Sequence, residues 1–209
     1  MYELIIFDID GTMIDTESVV MKSYSYAMKE ELGRDLTDEE MSRAYGIPTH
    51  KAVELLGAKS AEEASNRYFE SLFKYFREGV PIFRGIVEIL EELDKCGNRC
   101  GIVTSRNREE VENDTTLKEL LKYFRYVVTA EDTSRHKPDP EPVLRLMDMA
   151  GAEPAGVIYI GDTYYDYMCA KNAGAKFALA SWGARKNDDI KPDFVLEKPG
   201  DLLGILERE

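Results

Sequence analysis

Short apolar runs alternate with stretches of helical periodicity beyond residue 81, and this order of elements restricts the possible folds most strongly. The predicted strands are the apolar runs 100–103, 126–129, 157–160 and 177–180. The predicted helices cover about 86–93, 116–124, 141–150 and 165–173. Alternating elements of this length form a mostly parallel sheet with helices on both faces. The sequence therefore predicts an α/β, Rossmann-like fold.

Another apolar run, LIIF at residues 4–7, ends abruptly at the sequence DIDGT, residues 8–12. A continuous apolar run predicts a strand that is buried in a parallel sheet, and the glycine after it predicts a tight loop. We therefore expect the first strand to belong to the same sheet. Its carboxyl end would carry the side chains of Asp8 and Asp10.

The segment between this strand and the alternating region has helical periodicity throughout. Capping boxes beginning at Thr37 and Ser60 predict the starts of two of its helices. Its tyrosines and phenylalanines recur with helical spacing and are interpreted as core residues. We therefore predict an α/β core formed by residues 1–14 and 82–209, interrupted by a small all-helical insert at 15–81.

The charge of the chain limits its partners. Asp and Glu number 40 against 27 Lys and Arg, which leaves a net charge of −13, so we expect no nucleic-acid partner. No apolar run approaches eighteen residues and the N-terminus lacks a signal-peptide pattern, so we expect no membrane segment and a cytoplasmic location. Cys96, Cys100 and Cys169 form no metal-binding pattern and are expected to be reduced and mostly buried.

Polar residues follow four of the predicted strands, at the edge where open parallel sheets bind their ligands. In chain order they are Asp8, Asp10, Gly11 and Thr12, then Thr104 and Ser105, then Lys137, then Asp162 and Asp166. Carboxylates gathered in one place repel each other, and Mg²⁺ is a cation that accepts carboxylate ligands together with phosphate oxygens. A lysine and a hydroxyl beside it can hold the other oxygens of a phosphoryl group.

Each of these residues also has an ordinary structural interpretation. Asp8 and Asp10 could merely end a strand and cap a turn. Thr104 alone is more typical of a turn, and Lys137 alone of a solvated surface. Asp166 could simply favour the first turn of a helix. Only the common position of these residues at strand ends favours a site.

The segment FDIDGT at 7–12, Thr104, Lys137, and GDT at 161–163 with Asp166 resemble the four motifs of the haloacid dehalogenase superfamily. They stand in that family's order and at plausible spacing. The resemblance covers essentially the whole chain, because an all-helical insert directly after the first motif is similar to the family's mobile cap. It implies hydrolysis through an aspartyl phosphate with Mg²⁺ as the cofactor.

The resemblance implies a role for each matching residue. Asp8 would be the nucleophile, and Asp10 would be the general acid for the leaving oxygen and then the base for the hydrolytic water. The groups expected to bind the phosphoryl oxygens are Thr104, Lys137 and the backbone N–H groups around Gly11 and Ser105. The expected Mg²⁺ ligands are Asp8, the carbonyl oxygen of Asp10 and Asp162, and Asp166 would join the metal site through water or by supporting another ligand.

Within the family, the sequence KPDP at 137–140 and the dipeptide Trp182-Gly183 are most similar to phosphoglycolate phosphatase-like and pyrophosphatase-like members. The leading hypothesis is a Mg²⁺-dependent phosphatase that acts on a small phosphorylated metabolite, as a monomer or weak homodimer. The alternatives are a sugar-phosphate mutase, an inorganic pyrophosphatase and a non-enzymatic, phospho-accepting signalling module. The helical insert argues against the last.

Substrate specificity is expected to lie in the insert. Its loop GIPTHK at 46–51 offers His50 and Lys51 as polar contacts, although a solvated loop is an equal alternative. Related mutases usually have an arginine near this loop, and its absence here disfavours a mutase. Arg84, where relatives commonly have proline, is either a substrate contact or a neutral surface residue. One of the tyrosines within 164–167 could face the site.

Overall fold

The computed structural model describes residues 2–45 and 47–207. Within them, six strands form one sheet in the order β3-β2-β1-β4-β5-β6, and every neighbouring pair is parallel. The strands are β1 Leu4–Phe7, β2 Cys100–Val103, β3 Tyr126–Val128, β4 Val157–Gly161, β5 Lys176–Ala180 and β6 Phe194–Leu196. The predicted α/β, Rossmann-like sheet is confirmed, and β6 is an addition to it at one edge.

Ten α-helices occur in the described part of the chain. They are α1 Glu17–Leu32, α2 Asp38–Ala44, α3 Thr49–Leu55, α4 Ala61–Glu78, α5 Ile86–Lys95, α6 Arg108–Asn113, α7 Thr115–Leu120, α8 Glu141–Ala150, α9 Tyr164–Ala173 and α10 Asp201–Leu206. The helix predicted at 116–124 is shorter than expected, because α7 gives way to a 3₁₀ turn at Leu121–Tyr123. Neither α6 nor α10 was predicted.

Helices pack on both faces of the sheet because the residues of each central strand alternate in direction. In β1, Ile5 and Phe7 join one hydrophobic cluster, to which α5 and α7 contribute. Leu4 and Ile6 join a second cluster, with α8 and α9. The first cluster continues without a break into the four helices α1 to α4, so the helical segment and one face of the sheet share a core.

The aromatic residues of α1 and α4 are core residues, as predicted. Tyr24 and Tyr68 are buried, with ring centroids 4.4 Å apart, and Phe69 stacks on Phe73 at 5.5 Å. The capping box at Thr37 is complete. At Ser60 one half of the box is present: the hydroxyl accepts from the N–H of the third residue of α4.

The chain enters and leaves the helical segment through two connections that lie side by side. Ile14 and Ile82 form an antiparallel bridge. The Asp15 N–H donates to the carbonyl of Pro81 at 2.8 Å, and the Phe83 N–H donates to that of Met13 at 3.0 Å. We refer to residues 13–15 and 81–83 as the paired connections.

The cysteines are unpaired. Cys100 and Cys169 are buried as expected, whereas Cys96 is exposed because it lies in the turn that follows α5. No helix in the described ranges is both long and apolar enough to cross a membrane.

Candidate active site

Three neighbouring strands end at the same edge of the sheet and deliver the predicted polar residues there. Asp8 follows β1, and its N–H donates to the carbonyl of Ile160 on β4 at 2.9 Å. Thr104 follows β2, and its N–H donates to Val128 on β3 at 3.0 Å. Asp162 follows β4. All three polar side chains are buried, which sets them apart from ordinary solvated loop residues.

The loop after Asp8 turns sharply, and Gly11 makes the turn possible. Gly11 has a φ of +80°, and a Cβ there would lie 2.3 Å from Oδ2 of Asp162. A side chain would therefore be both strained and in collision. Thr12 follows, and its hydroxyl donates to Oδ1 of Asp162 at 2.9 Å. The loop thus packs directly against the residue that ends β4.

Lys137 joins two of the predicted acids. Its Nζ lies 2.6 Å from Oδ1 of Asp8 and 2.6 Å from Oδ1 of Asp166, and the side chain is buried. One carboxylate oxygen from each of Asp8, Asp162 and Asp166 can be chosen so that all three lie within 4.8 Å of one another. We call these three residues the carboxylate cluster. The structure therefore brings together the acids and the lysine that the sequence analysis selected.

Asp166 is held by its own helix as well as by Lys137. Oδ2 accepts from the N–H of Thr163 at 3.0 Å and from its hydroxyl at 2.5 Å, which completes a capping box at the start of α9. Oδ1 also accepts from the Tyr159 hydroxyl at 2.8 Å. Burial alone would raise the pKa of Asp166, but Lys137, Thr163 and Tyr159 outweigh it and lower the pKa. The capping interpretation of Asp166 is therefore realised, and the same residue positions Lys137.

Negative charge exceeds positive charge in the carboxylate cluster. Burial raises the pKa of Asp8, with Lys137 opposing the shift and Asp166 and Asp10 adding to it. Burial, Asp166 and Asp8 raise the pKa of Asp162 well above its ordinary value. A further cation would remove this penalty. The cluster offers only oxygen ligands, and the charge of Lys137 balances only one of its three carboxylates. Such a set suits Mg²⁺.

Asp10 lies beside the cluster and has a different partner. Arg106 holds its carboxylate with two hydrogen bonds, Nε to Oδ2 at 2.9 Å and Nη2 to Oδ1 at 2.8 Å. The Thr16 hydroxyl donates to Oδ1 at 2.6 Å. Burial alone would raise the pKa of Asp10, but Arg106 and Thr16 outweigh it and lower the pKa. Asp10 is therefore ionised in this state of the protein.

Arg106 is the main site residue that the sequence analysis missed. It is buried, it donates to Asp114 at 2.8 Å, and its guanidinium lies 4.5 Å from the ring centroid of Phe76 in α4. Its backbone N–H donates to the hydroxyl of Thr104 at 3.1 Å. A signal was present, since an arginine three residues beyond the end of β2 is within reach of the neighbouring strand ends.

A cavity of about 50 Å³ lies next to Asp10, between the sheet edge and the helices α1 to α4. We call it the inner cavity. Ser105, Arg106 and Glu110 line it from the sheet side, and Tyr45 is among the residues that line it from the helical segment. Glu110 is buried, and burial raises its pKa to about 7. Ser105 thus lies next to Asp10 across the inner cavity.

The other residues considered for specificity lie farther out. His50 pairs with Glu54 at 3.4 Å and lines a side cavity of about 480 Å³ that shares Ser105 and Glu110 with the inner cavity. Lys51 is exposed. Arg84 is exposed and lines a separate groove formed by α5 and the start of α10. Gly46 lies outside the described residues.

Two of the three tyrosines near the start of α9 do face the site. Tyr164 and Tyr165 line an outer cavity of about 170 Å³ together with Asp162. Tyr167 is buried in the second hydrophobic cluster, because it points toward the sheet.

The geometry agrees with a comparison of the whole chain with known proteins. The family model described as "Haloacid dehalogenase-like hydrolase" matches residues 5–180. The chain belongs to the haloacid dehalogenase-like hydrolase family. Pyrophosphatase PpaX of Bacillus velezensis is 34% identical over 204 residues, which cover 96% of this chain and 94% of that protein.

Two solved structures share the fold. A protein of Lactobacillus plantarum, provisionally named phosphoglycolate phosphatase, superposes with a TM-score of 0.86 at 26% identity, over 98% of this chain and 99% of that one. A Thermotoga maritima protein, provisionally named beta-phosphoglucomutase, gives 0.76 at 25% identity, over 99% of each chain. Both similarities extend through the helical segment as well as the sheet.

Proposed function

We propose that this chain is a Mg²⁺-dependent phosphohydrolase that transfers a phosphoryl group from a small phosphorylated metabolite to Asp8 and then to water. The observation that carries the proposal is the buried ion pair between Lys137 and Asp8 inside the carboxylate cluster. A buried carboxylate at a strand end, oriented by a lysine and surrounded by excess negative charge, suits a nucleophile that works beside a cation.

In the first step, an oxygen of Asp8 attacks phosphorus and the leaving-group oxygen departs with the bonding electron pair. Lys137 holds Asp8 in place and neutralises one phosphoryl oxygen. Thr104 accepts a hydrogen bond from the N–H of Arg106, so its own proton is directed elsewhere and can bind a second oxygen. In the second step, water attacks the aspartyl phosphate, which releases phosphate and restores Asp8.

Mg²⁺ would be held by Asp8, Asp162 and the carbonyl oxygen of Asp10, and when bound it would neutralise the charge of the transferring group. Asp166 would support this site through Lys137, because both of its oxygens already accept hydrogen bonds.

The environment of Asp10 favours phosphoanhydride substrates such as pyrophosphate over alkyl phosphate esters. An alcohol needs a proton in order to leave, whereas a phosphate group can leave as an anion. Asp10 is ionised by Arg106 and Thr16 and is therefore a better base for water than an acid for an alcohol. The inner cavity also has room for only a few waters, which suits a compact leaving group. The pyrophosphatase relatives support the same choice.

The helices α1 to α4 would act as a cap that excludes water until the phosphoryl group has been transferred. They meet the sheet edge at the inner cavity, so substrate and product would need these helices to move away. The division into a core of residues 1–14 and 82–209 and a cap of residues 15–81 is part of this proposal.

A sugar-phosphate mutase is the second candidate. The side cavity adjoins the inner cavity and has room for a small sugar, and one structural neighbour is provisionally named beta-phosphoglucomutase. A mutase would return the phosphoryl group from Asp8 to a second hydroxyl instead of to water.

The test is an assay of phosphate release from pyrophosphate, phosphoglycolate, a hexose phosphate and an aryl phosphate. Each would be measured with Mg²⁺, with a chelator, and with the variants Asp8→Asn and Asp15→Asn. Asp15 is exposed beside the same loop and serves as the matched control. We expect activity with Mg²⁺ in the wild type and in Asp15→Asn only. Equal rates in Asp8→Asn would refute the nucleophile, and isomer formation without phosphate release would favour the mutase.

A further inference from the structure

The hydroxyl of Tyr45 is buried without a partner. Tyr45 ends α2, its residue surface is 8% exposed, and its hydroxyl has no hydrogen bond to any described residue. The Thr16 hydroxyl lies near it but does not form a hydrogen bond with it, and donates its own proton to Asp10. Buried hydroxyls nearly always have partners, so a lone one on a residue that lines a cavity points to a ligand that completes it.

The ring of Tyr45 stands between the two halves of the candidate active site. Of the described residues, it alone lines both the inner cavity, which contains Asp10, and the outer cavity, which contains Asp162. Its phenol is also within electrostatic reach of Asp162, Asp10 and Asp8, which together with burial raise its pKa well above the ordinary value. The hydroxyl therefore remains protonated and able to donate.

The orientation of the ring is fixed from outside. The guanidinium of Arg185, in the loop between β5 and β6, lies 5.7 Å from the ring centroid. Arg185 in turn forms an ion pair with Glu17 at the start of α1. A ring restrained in this way loses little further side-chain freedom when a ligand arrives.

We propose that the Tyr45 hydroxyl donates a hydrogen bond to a non-bridging oxygen of the transferring phosphoryl group. The inference rests on the proposed function and adds to it a contact from the helical segment, where the groups assigned above all come from the sheet edge. Closure of the helices over the substrate then contributes a donor to the transition state as well as excluding water.

The experiment compares Tyr45→Phe with Tyr26→Phe, whose phenol is 51% exposed on α1 and serves as the matched control. Three quantities are measured for each protein: binding of orthovanadate in the presence of Mg²⁺, binding of Mg²⁺ alone, and kcat/KM for the best substrate. For Tyr45→Phe we expect orthovanadate affinity and kcat/KM to fall by about 10- to 100-fold, the usual loss for one hydrogen bond to a charged group. Mg²⁺ affinity and all values for Tyr26→Phe should stay at the wild-type level.

The melting temperature of the free protein separates a binding role from a structural one. Removal of an unpartnered buried hydroxyl should leave the melting temperature of Tyr45→Phe unchanged or higher. An active wild type with unchanged orthovanadate affinity in Tyr45→Phe would overturn the inference alone. A loss in Tyr45→Phe that is confined to Mg²⁺ affinity would also overturn the inference. A wild type that neither hydrolyses phosphates nor binds orthovanadate would overturn the proposed function together with it.

Discussion

Arg106 donates hydrogen bonds to both carboxylate oxygens of Asp10, at 2.9 and 2.8 Å. Another N–H of the same guanidinium donates to Asp114 at 2.8 Å. The forked geometry of an arginine allows this bidentate contact, and burial makes the contact strong. Asp10 is thereby held ionised beside the carboxylate cluster. Under the proposed function, this pair would determine which leaving groups the site accepts.

Loosening this pair should broaden the range of leaving groups. In Arg106→Lys the charge remains, but one ammonium group cannot make both bonds, so Asp10 will take up a proton more readily. The ratio of alkyl phosphate hydrolysis to pyrophosphate hydrolysis should rise, by about tenfold for each unit of pKa gained. Steady-state rates on an alkyl phosphate and on pyrophosphate give this ratio. Arg108→Lys, at an exposed arginine two residues away, is the control, and an identical ratio in both variants would contradict the assignment.

Removal of the Asp10 carboxylate should affect substrates unequally. Asp10→Asn keeps the side chain's shape and loses its acid-base function, which is worth roughly 10²- to 10⁴-fold. We expect a loss of that order with alkyl phosphates and a smaller loss with pyrophosphate, whose leaving group needs less proton transfer. The same assay under saturating Mg²⁺ measures the two losses. Equal losses would show that Asp10 does not act on the leaving oxygen.

Lys137→Met should destabilise the metal-free protein. It removes the cation that contacts two buried carboxylates, Asp8 and Asp166, and uncompensated buried charges cost about 3–5 kcal/mol. Mg²⁺ should restore part of the loss, because it supplies positive charge to the same cluster. Urea unfolding with and without Mg²⁺ measures both effects. Lys74→Met, at an exposed lysine of α4, should change little, and a loss no larger than in this control would count against the buried ion pair.

Glu110→Gln should change how stability depends on pH. Burial raises the pKa of Glu110 to about 7, from 4.5 in the unfolded chain, although Arg106 opposes the shift. The folded protein therefore keeps a proton that the unfolded chain loses, and wild-type stability falls as pH rises from about 4.5 to about 7.

The variant lacks this loss, so its advantage in unfolding free energy should grow between pH 5 and pH 8, to at most about 3 kcal/mol. Urea unfolding at the two pH values gives the difference. Glu109→Gln, at the exposed neighbour in α6, should show no such trend.

A methyl group at Gly183 should distort the loop after β1. A Cβ there would lie 1.7 Å from the carbonyl oxygen of Gly11, so the loop after β1 must shift. The neighbouring indole N–H of Trp182 donates to the carbonyl of Thr12 at 2.9 Å, which ties the same two loops together. Gly183→Ala should lower kcat by about 10²-fold, the usual effect of an ångström-scale misplacement. Gly204→Ala, with open space around it in α10, should retain full activity.

The parts of the fold that could be predicted are those with a continuous apolar signal. β1 to β5 stand out as apolar runs next to predicted turns or helices, whereas β6 was not apparent, and Val195 at its centre is 53% exposed. α6 has a mostly polar sequence and is defined by its capping box at Asn107 rather than by an apolar face. Such elements depend on neighbours that the local sequence does not reveal.

The same distinction applies to the site. Asp8, Asp162 and Lys137 could be selected because parallel strands bring their carboxyl ends to one edge. Arg106 and Tyr45 could not be placed in the same way. The position of Arg106 depends on the path of the loop after β2, and that of Tyr45 depends on how the helical segment packs over the sheet.

The paired connections give this architecture an evolutionary freedom. The two ends of the helical segment are joined by the hydrogen bond between Asp15 and Pro81. The segment is therefore a closed loop, and the distance between its ends does not depend on its length. The entropic penalty of such a loop increases by only about 0.6 kcal/mol for each doubling of its length. A longer, shorter or unrelated segment could be exchanged at this point while the strand ends keep their arrangement. Recognition and hydrolysis can therefore diverge at separate rates in proteins built on this plan.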